Sequence, residues 1–256
     1  MDSTQDARIF GSLLLDIGIG LLKAGSSGRR IRITLTSMAA AYDYLIYPEI
    51  GPKNISISLL DNQYQPVFNG TRSTNTYGVD FKIMSAAERL TISVKKRKWS
   101  MTEMAAEVNR FLSLPKHPFI WVLLAVSTAG AAFCYTFGGS YAEMAVTFGG
   151  TCCGMFLKHS LQKRSINVYA VTFLSALVAS LFVGIFHVSV YGIRLENAYA
   201  TCALFLIPGV PLINSIIDLV DGNILYGLER GVNAMIHALA IAFGLTTTLY
   251  IFNFVR

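Results

Sequence analysis

Pro208-Gly209-Val210-Pro211-Leu212-Ile213-Asn214 interrupts a hydrophobic run late in the chain, and Asp218 and Asp221 follow it. Two prolines and a glycine inside an apolar segment remove backbone hydrogen bonds and break a helix. In hydrocarbon, broken backbone is tolerated only where protein or water covers it. Asn214, Asp218 and Asp221 are spaced i, i+4, i+7, which places them on one face of a helix. Discontinuous helices with polar groups beside the break are how many secondary transporters hold their solute. The stretch therefore predicts an α-helical integral membrane protein with a transport role.

Composition agrees with this reading. The 256 residues are 53% hydrophobic and 14% charged, where an average soluble domain carries about 25% charged residues. The charge is unevenly spread: residues 1–117 hold 15 of the 21 Lys+Arg and 10 of the 15 Asp+Glu. We expect a small α+β cytoplasmic domain over 1–117 and a membrane domain over 118–256. The first apolar stretch, Ile9–Leu22, is broken by Asp16 and glycines and lacks a basic n-region, so it does not read as a secretory signal. Much of the net charge of +6 comes from Lys95-Lys96-Arg97-Lys98. That run reads as a solvated helix end or as a contact with anionic headgroups, and not as a nucleic-acid surface. Cys134, Cys152, Cys153 and Cys202 fall inside apolar spans and read as small core residues. No metal or cofactor is expected.

A helix needs about 20 apolar residues to cross the bilayer core. Five segments qualify, at about 119–137, 141–157, 166–188, 198–217 and 232–254. Lys116 before the first and Lys158, Lys163 and Arg164 after the second belong on the cytoplasmic side, by the bias of basic loops. The Gly138-Gly139-Ser140 loop has no basic residue, and the loop after the third span has only Arg194; both are expected outside. The N-terminus is then cytoplasmic. Gly150-Thr151-Cys152-Cys153-Gly154 is a small-xxx-small pattern that lets another helix approach closely.

In the N-terminal domain, Ile9, Leu13, Ile17 and Leu21 repeat every four residues and predict one face of a helix. Ala24-Gly25-Ser26-Ser27-Gly28 ends that helix and caps a second over Ile31–Tyr44. Tyr47-Pro48 and Gly51-Pro52 read as turns. Ile55, Ile57 and Leu59 alternate with serines and predict a strand, with Tyr64–Gly70 returning as its partner. Ile83–Val94 and Ser100–Leu112 read as helices, the latter opened by Ser100 and Glu103 at capping-box spacing. No Gly-x-Ser-x-Gly elbow and no Walker-type loop occurs, so neither an enzyme nor an ATP-driven pump is expected.

Charged groups at membrane depth are usually functional. If the fourth helix is continuous, Asp218 and Asp221 sit at the surface; if it is broken, they line a cavity. Asp221, beside Gly222-Asn223, suits the surface better. Arg230 is placed to pair with a carboxylate of the preceding arm or of a substrate. His237, about two turns into the fifth span, reads either as a proton relay or as a histidine bonded to a neighbouring helix.

The run Pro208–Leu219, with Gly222 and Gly227-Leu228-Glu229-Arg230, resembles the N-terminal module of the threonine/serine exporter family. Members often carry an acidic residue after the glycine of the N-terminal helix end, where this chain has Ser26-Ser27-Gly28. The resemblance implies a bacterial inner-membrane protein that exports small amino acids or, in the split two-protein form, succinate. It further implies a separately encoded, smaller membrane subunit as partner, because the chain stops at Arg256, soon after its fifth span. A homo-oligomer is compatible with this. Pro208, Gly209, Pro211, Asn214, Asp218, Gly222, Gly227 and Arg230 are the motif positions carried over. An amino acid's two charges suit an Asp218/Arg230 pair, whereas a dicarboxylate would want a second cation, and the predicted spans contain none. The alternative to transport is a cytoplasmic sensor anchored by the spans.

Overall fold

The computed structural model describes residues 3–74, 78–97, 99–115, 117–164, 166–189 and 195–253. Lys98, Lys116 and Arg194, which entered the charge and orientation arguments, and the last residue of the fifth predicted span lie outside that set. Among the described residues the protein is mostly helical, with one three-stranded antiparallel sheet, and the chain divides into two compact units.

The first unit joins Met1–Pro115 to a later segment, Val210–Gly231. Helix α1 (Ser3–Lys23) is its central element. Phe10, Leu14, Ile17, Leu21 and Leu22 are all fully buried, whereas Ile9, expected on the buried face, is exposed. The helix is covered on several sides instead of presenting one stripe. Its glycines make the close approaches: a Cβ on Gly18 would stand 3.1 Å from Ile55 Cδ1, and one on Gly20 would stand 2.9 Å from Phe111. Around α1 lie α2 (Gly28–Ala41), α3 (Phe81–Lys96) and α4 (Met101–Leu112), with Leu35, Met38, Leu90, Met104 and Val108 in the shared core. Each such side chain contributes about 1.5–3 kcal/mol on burial. The expected capping box on α4 forms, Ser100 and Glu103 each bonding the other's backbone N–H.

In the sheet, β1 (Leu45–Ile50) pairs with β2 (Asn54–Leu60), and β2 pairs with β3 (Pro66–Ser73). The alternation read in β2 holds, with Ile55, Ile57 and Leu59 buried. Tyr47-Pro48, read as a turn, instead lies within β1, where Pro48 faces Ile57. The strand tolerates it because β1 is at the sheet's edge, where a missing N–H need not break a ladder.

The second unit comprises Lys116–Gly209 and Val232–Arg256. It contains α5 (Phe119–Thr136), α6 (Tyr141–Gln162), α7 (Val168–Ser189), α8 (Glu196–Thr201), a 3-10 turn at Leu204–Leu206 and most of α10 (Ile224–Asn253). Among the described residues, α5, α7 and α10 are long and apolar enough to cross a membrane, and α8 with α9 (Gly209–Val220) would make a fourth, broken span. Helix α6 has the length but falls short in apolarity, since it carries Glu143, Lys158 and three glycines. It runs past its predicted end, so Lys158 is a helix residue, with its ammonium 5.8 Å from the centre of the Phe205 ring.

Small residues set the contacts here, as expected where packing and not hydrophobicity drives association. The small-xxx-small pattern faces α7: a Cβ on Gly150 would stand 2.8 Å from the Ala179 carbonyl oxygen, and one on Gly154 the same distance from that of Ser175. Glu143 is buried, and its carboxylate accepts the Ser140 N–H at 2.8 Å and the Asn197 N–H at 3.1 Å. Ser180 and Thr248 join α7 to α10 at 2.7 Å. Cys134 and Cys202 are buried, Cys152 and Cys153 half-buried, and all four are free thiols.

Candidate functional site

The break in the fourth predicted span is longer and earlier than its two prolines suggest. Helix α8 ends at Thr201, the 3-10 turn follows, and Pro208 stands immediately before α9. Gly209 opens α9 and Pro211 lies in its first turn. The first N–H groups of a helix have no acceptor within it, so Pro211 sacrifices no hydrogen bond there. Helix α9 then ends on Gly222, whose φ of +82° is a left-handed conformation. Gly222 N–H bonds the Leu219 carbonyl and Asn223 N–H the Asp218 carbonyl, at 3.1 and 2.8 Å. This is the hydrogen-bond signature of a glycine-terminated helix.

The reversal folds the start of α10 against α9. A Cβ on Gly227 would meet the Leu219 N at 2.9 Å and the Ser215 carbonyl at 3.0 Å, so only glycine allows that crossing. Ser215 Oγ donates to the Gly227 carbonyl at 2.7 Å and closes it.

This hairpin brings Asp218 and Arg230 together. The Asp218 side chain is fully buried and that of Arg230 is 12% exposed, with Nη1 to Oδ2 at 3.1 Å. Burying an ion pair is tolerable only when its remaining valences are met, and here they are. Gly28 N–H donates to Asp218 Oδ1 at 2.8 Å. Arg230 Nη2 donates to the Ser26 carbonyl at 3.1 Å and to the Tyr226 hydroxyl. The guanidinium also lies 4.5 Å from the centre of the Tyr226 ring, one helical turn back. Asn214, one turn before Asp218, donates from Nδ2 to the Gly25 carbonyl at 2.8 Å.

The three groups singled out in the sequence thus converge on one feature, the turn between α1 and α2. Gly25 has a φ of +77°, which bends the chain there. Ser27 caps α2 by accepting the Arg30 N–H. Gly28 sits so close that a Cβ would stand 3.2 Å from Asp218 Oδ1. The Ser26 hydroxyl is buried with no partner among the described residues.

The other sequence candidates fall elsewhere. Asp221 is exposed and 3.7 Å from Arg29, a surface pair of little energetic consequence. His237 is bonded through Nδ1 to Thr172 Oγ1 at 2.9 Å, its ring 5.0 Å from that of Tyr169. Thr172 belongs to α7, so the imidazole is bonded to a neighbouring helix. Sequence reasoning missed Gly25, Ser26 and Gly28 as partners, and no local signal marks them. It also missed Tyr226, which its i, i+4 spacing to Arg230 could have suggested.

Comparison with known proteins gives two kinds of match. The family profile described as "Putative threonine/serine exporter" matches residues 12–252. The chain is similar to a protein of Escherichia coli (strain K12) named "Probable succinate transporter subunit YjjP", at 22% identity over 98% of this chain and 97% of the relative. A protein of the same name from Klebsiella aerogenes is 24% identical over 70% of this chain and 69% of the relative. No solved structure matches.

Proposed function

Because the chain belongs to the threonine/serine exporter family, we propose that it is the larger subunit of a two-component secondary exporter of threonine and serine in a bacterial inner membrane. The observation that carries this reading is the buried Asp218–Arg230 pair with Asn214 beside it, at the hairpin of α9 and α10. Asp218 takes the substrate ammonium, Arg230 its carboxylate and Asn214 a further polar group. The backbone freed around Pro208 adds polar contacts near the start of α9. We count five crossings: α5, α6, α7, the broken α8–α9 and α10. Helix α6 is included because its polar Glu143 is fully engaged by backbone N–H groups. The N-terminus is cytoplasmic. The smaller subunit is separately encoded, a reading supported by two relatives being named as transporter subunits.

Those names also favour a second substrate, succinate. The charge of the cluster argues against it. One guanidinium and one carboxylate complement a zwitterion, whereas a dicarboxylate would press its charge against Asp218. Efflux from dipeptide-loaded cells decides between them. With the chain and its genomic neighbour expressed together, threonine and serine should leave the cells, and Asp218→Asn should abolish that flux while the protein remains in the membrane. Succinate efflux alone would replace the substrate, and unimpaired flux in Asp218→Asn would remove Asp218 from the mechanism.

A further inference from the structure

The turn between α1 and α2 offers the polar cluster the same pattern of groups that an amino acid would. Gly28 N–H donates to Asp218, where the ammonium would donate. The Ser26 carbonyl accepts from Arg230, where the carboxylate would accept, and the Gly25 carbonyl accepts from Asn214, where a further polar group of the substrate would. Donor and acceptors come from backbone within four residues, 25 to 28, a span comparable to that of a small ligand. We propose that this turn is a resident substrate mimic: it fills the site, and threonine or serine binds by displacing it. The inference rests on reading Asn214, Asp218 and Arg230 as substrate groups.

Three features suit the turn to be exchanged. It contributes only main-chain groups, which bind a carboxylate and a guanidinium through one charged partner each. A zwitterion brings charge on both sides, which adds the attraction between opposite charges to bonds that have one charged partner when the turn is seated. The cluster is also held without the turn: Asp218 and Arg230 bond each other, Tyr226 stacks on the guanidinium, and Ser215 pins the hairpin to Gly227. It would therefore keep its shape when the turn leaves. Finally, the turn's fit is narrow at one point, since a Cβ on Gly28 would crowd Asp218 Oδ1 at 3.2 Å, with the Tyr226 ring in ordinary contact at 3.5 Å. A methyl there loosens the turn and leaves every side chain of the cluster intact. While the turn is seated, apparent substrate affinity falls in proportion to the fraction of molecules that are open. The N-terminal helices then act as a brake that yields to substrate.

The test is hydrogen exchange on the full chain, assembled with the protein encoded by its genomic neighbour in lipid nanodiscs, with threonine binding titrated on the same preparation. Saturating threonine should speed exchange of the amides at residues 25–28, Gly28 above all, by tenfold or more, and succinate should not. Gly28→Ala should bind threonine severalfold more tightly than the parent. Threonine binding with the turn still protected would overturn the mimic and leave the substrate reading standing. Binding of neither threonine nor serine would overturn the substrate reading, and the mimic with it.

Discussion

Arg230 is a guanidinium with more work than a lysine could do: it reaches Asp218, the Ser26 carbonyl and the Tyr226 hydroxyl, with an aromatic ring against its face. A lysine ammonium offers no planar fork to meet these at once. Tyr226→Phe keeps the ring and deletes the hydroxyl, so it should lower thermal stability in detergent by about 1 kcal/mol and leave the cluster assembled. A loss several times larger would mean that the hydroxyl, and not the ring, positions the arginine. Asp218, Asn214 and Arg230 were legible in the sequence because polar groups beside broken apolar backbone are conspicuous. Their partners were not, since Gly25, Ser26 and Gly28 contribute main-chain atoms and lie 189 to 204 positions away. No side-chain pattern encodes a contact of that kind.

Helices show a similar division. The glycines at 150 and 154 announced a close approach, and the structure supplies the neighbour, the backbone of α7 at Ala179 and Ser175. Gly154→Leu should therefore separate α6 from α7, since the added side chain meets backbone that cannot step aside. Overpacking of this sort costs about 1–3 kcal/mol or more, and we expect reduced recovery of monodisperse protein by size-exclusion chromatography. Undiminished recovery would show that α6 can slide. Apolar period and length sufficed to find the helices of both units. They did not fix all the ends, because polar residues such as Lys158 and Arg230 continue a helix once packing satisfies them. Helix α9 carries the reverse of a soluble amphipathic pattern. Asn214, Ser215 and Asp218 are on its engaged side, whereas Ile213, Ile216 and Val220 are exposed, a surface suited to lipid or to another membrane helix.

At the scale of the whole molecule, the bias of basic loops sets an orientation in the membrane. In otherwise cysteine-free protein, a cysteine at Ser140 should react with an impermeant maleimide applied from outside intact cells, and one at Lys163 should react only after permeabilisation. The opposite pattern would invert the protein in the membrane. The unit boundaries, by contrast, could not be read from charge or hydropathy. Residues 210–231 group with the N-terminal unit because their polar groups find partners there and Tyr226 enters its core. That arrangement has a consequence for how the protein is made. Gly28 and Asp218 are 190 residues apart, and a nascent chain grows at about 5–20 residues per second. Roughly 10–40 s of synthesis therefore separate the turn from its clamp. During that interval the first four helices are complete but their unit is not. A nascent chain released before Arg230 leaves it open for a protease to find, so closure of the first unit reports that translation has passed α5 to α9 and entered α10.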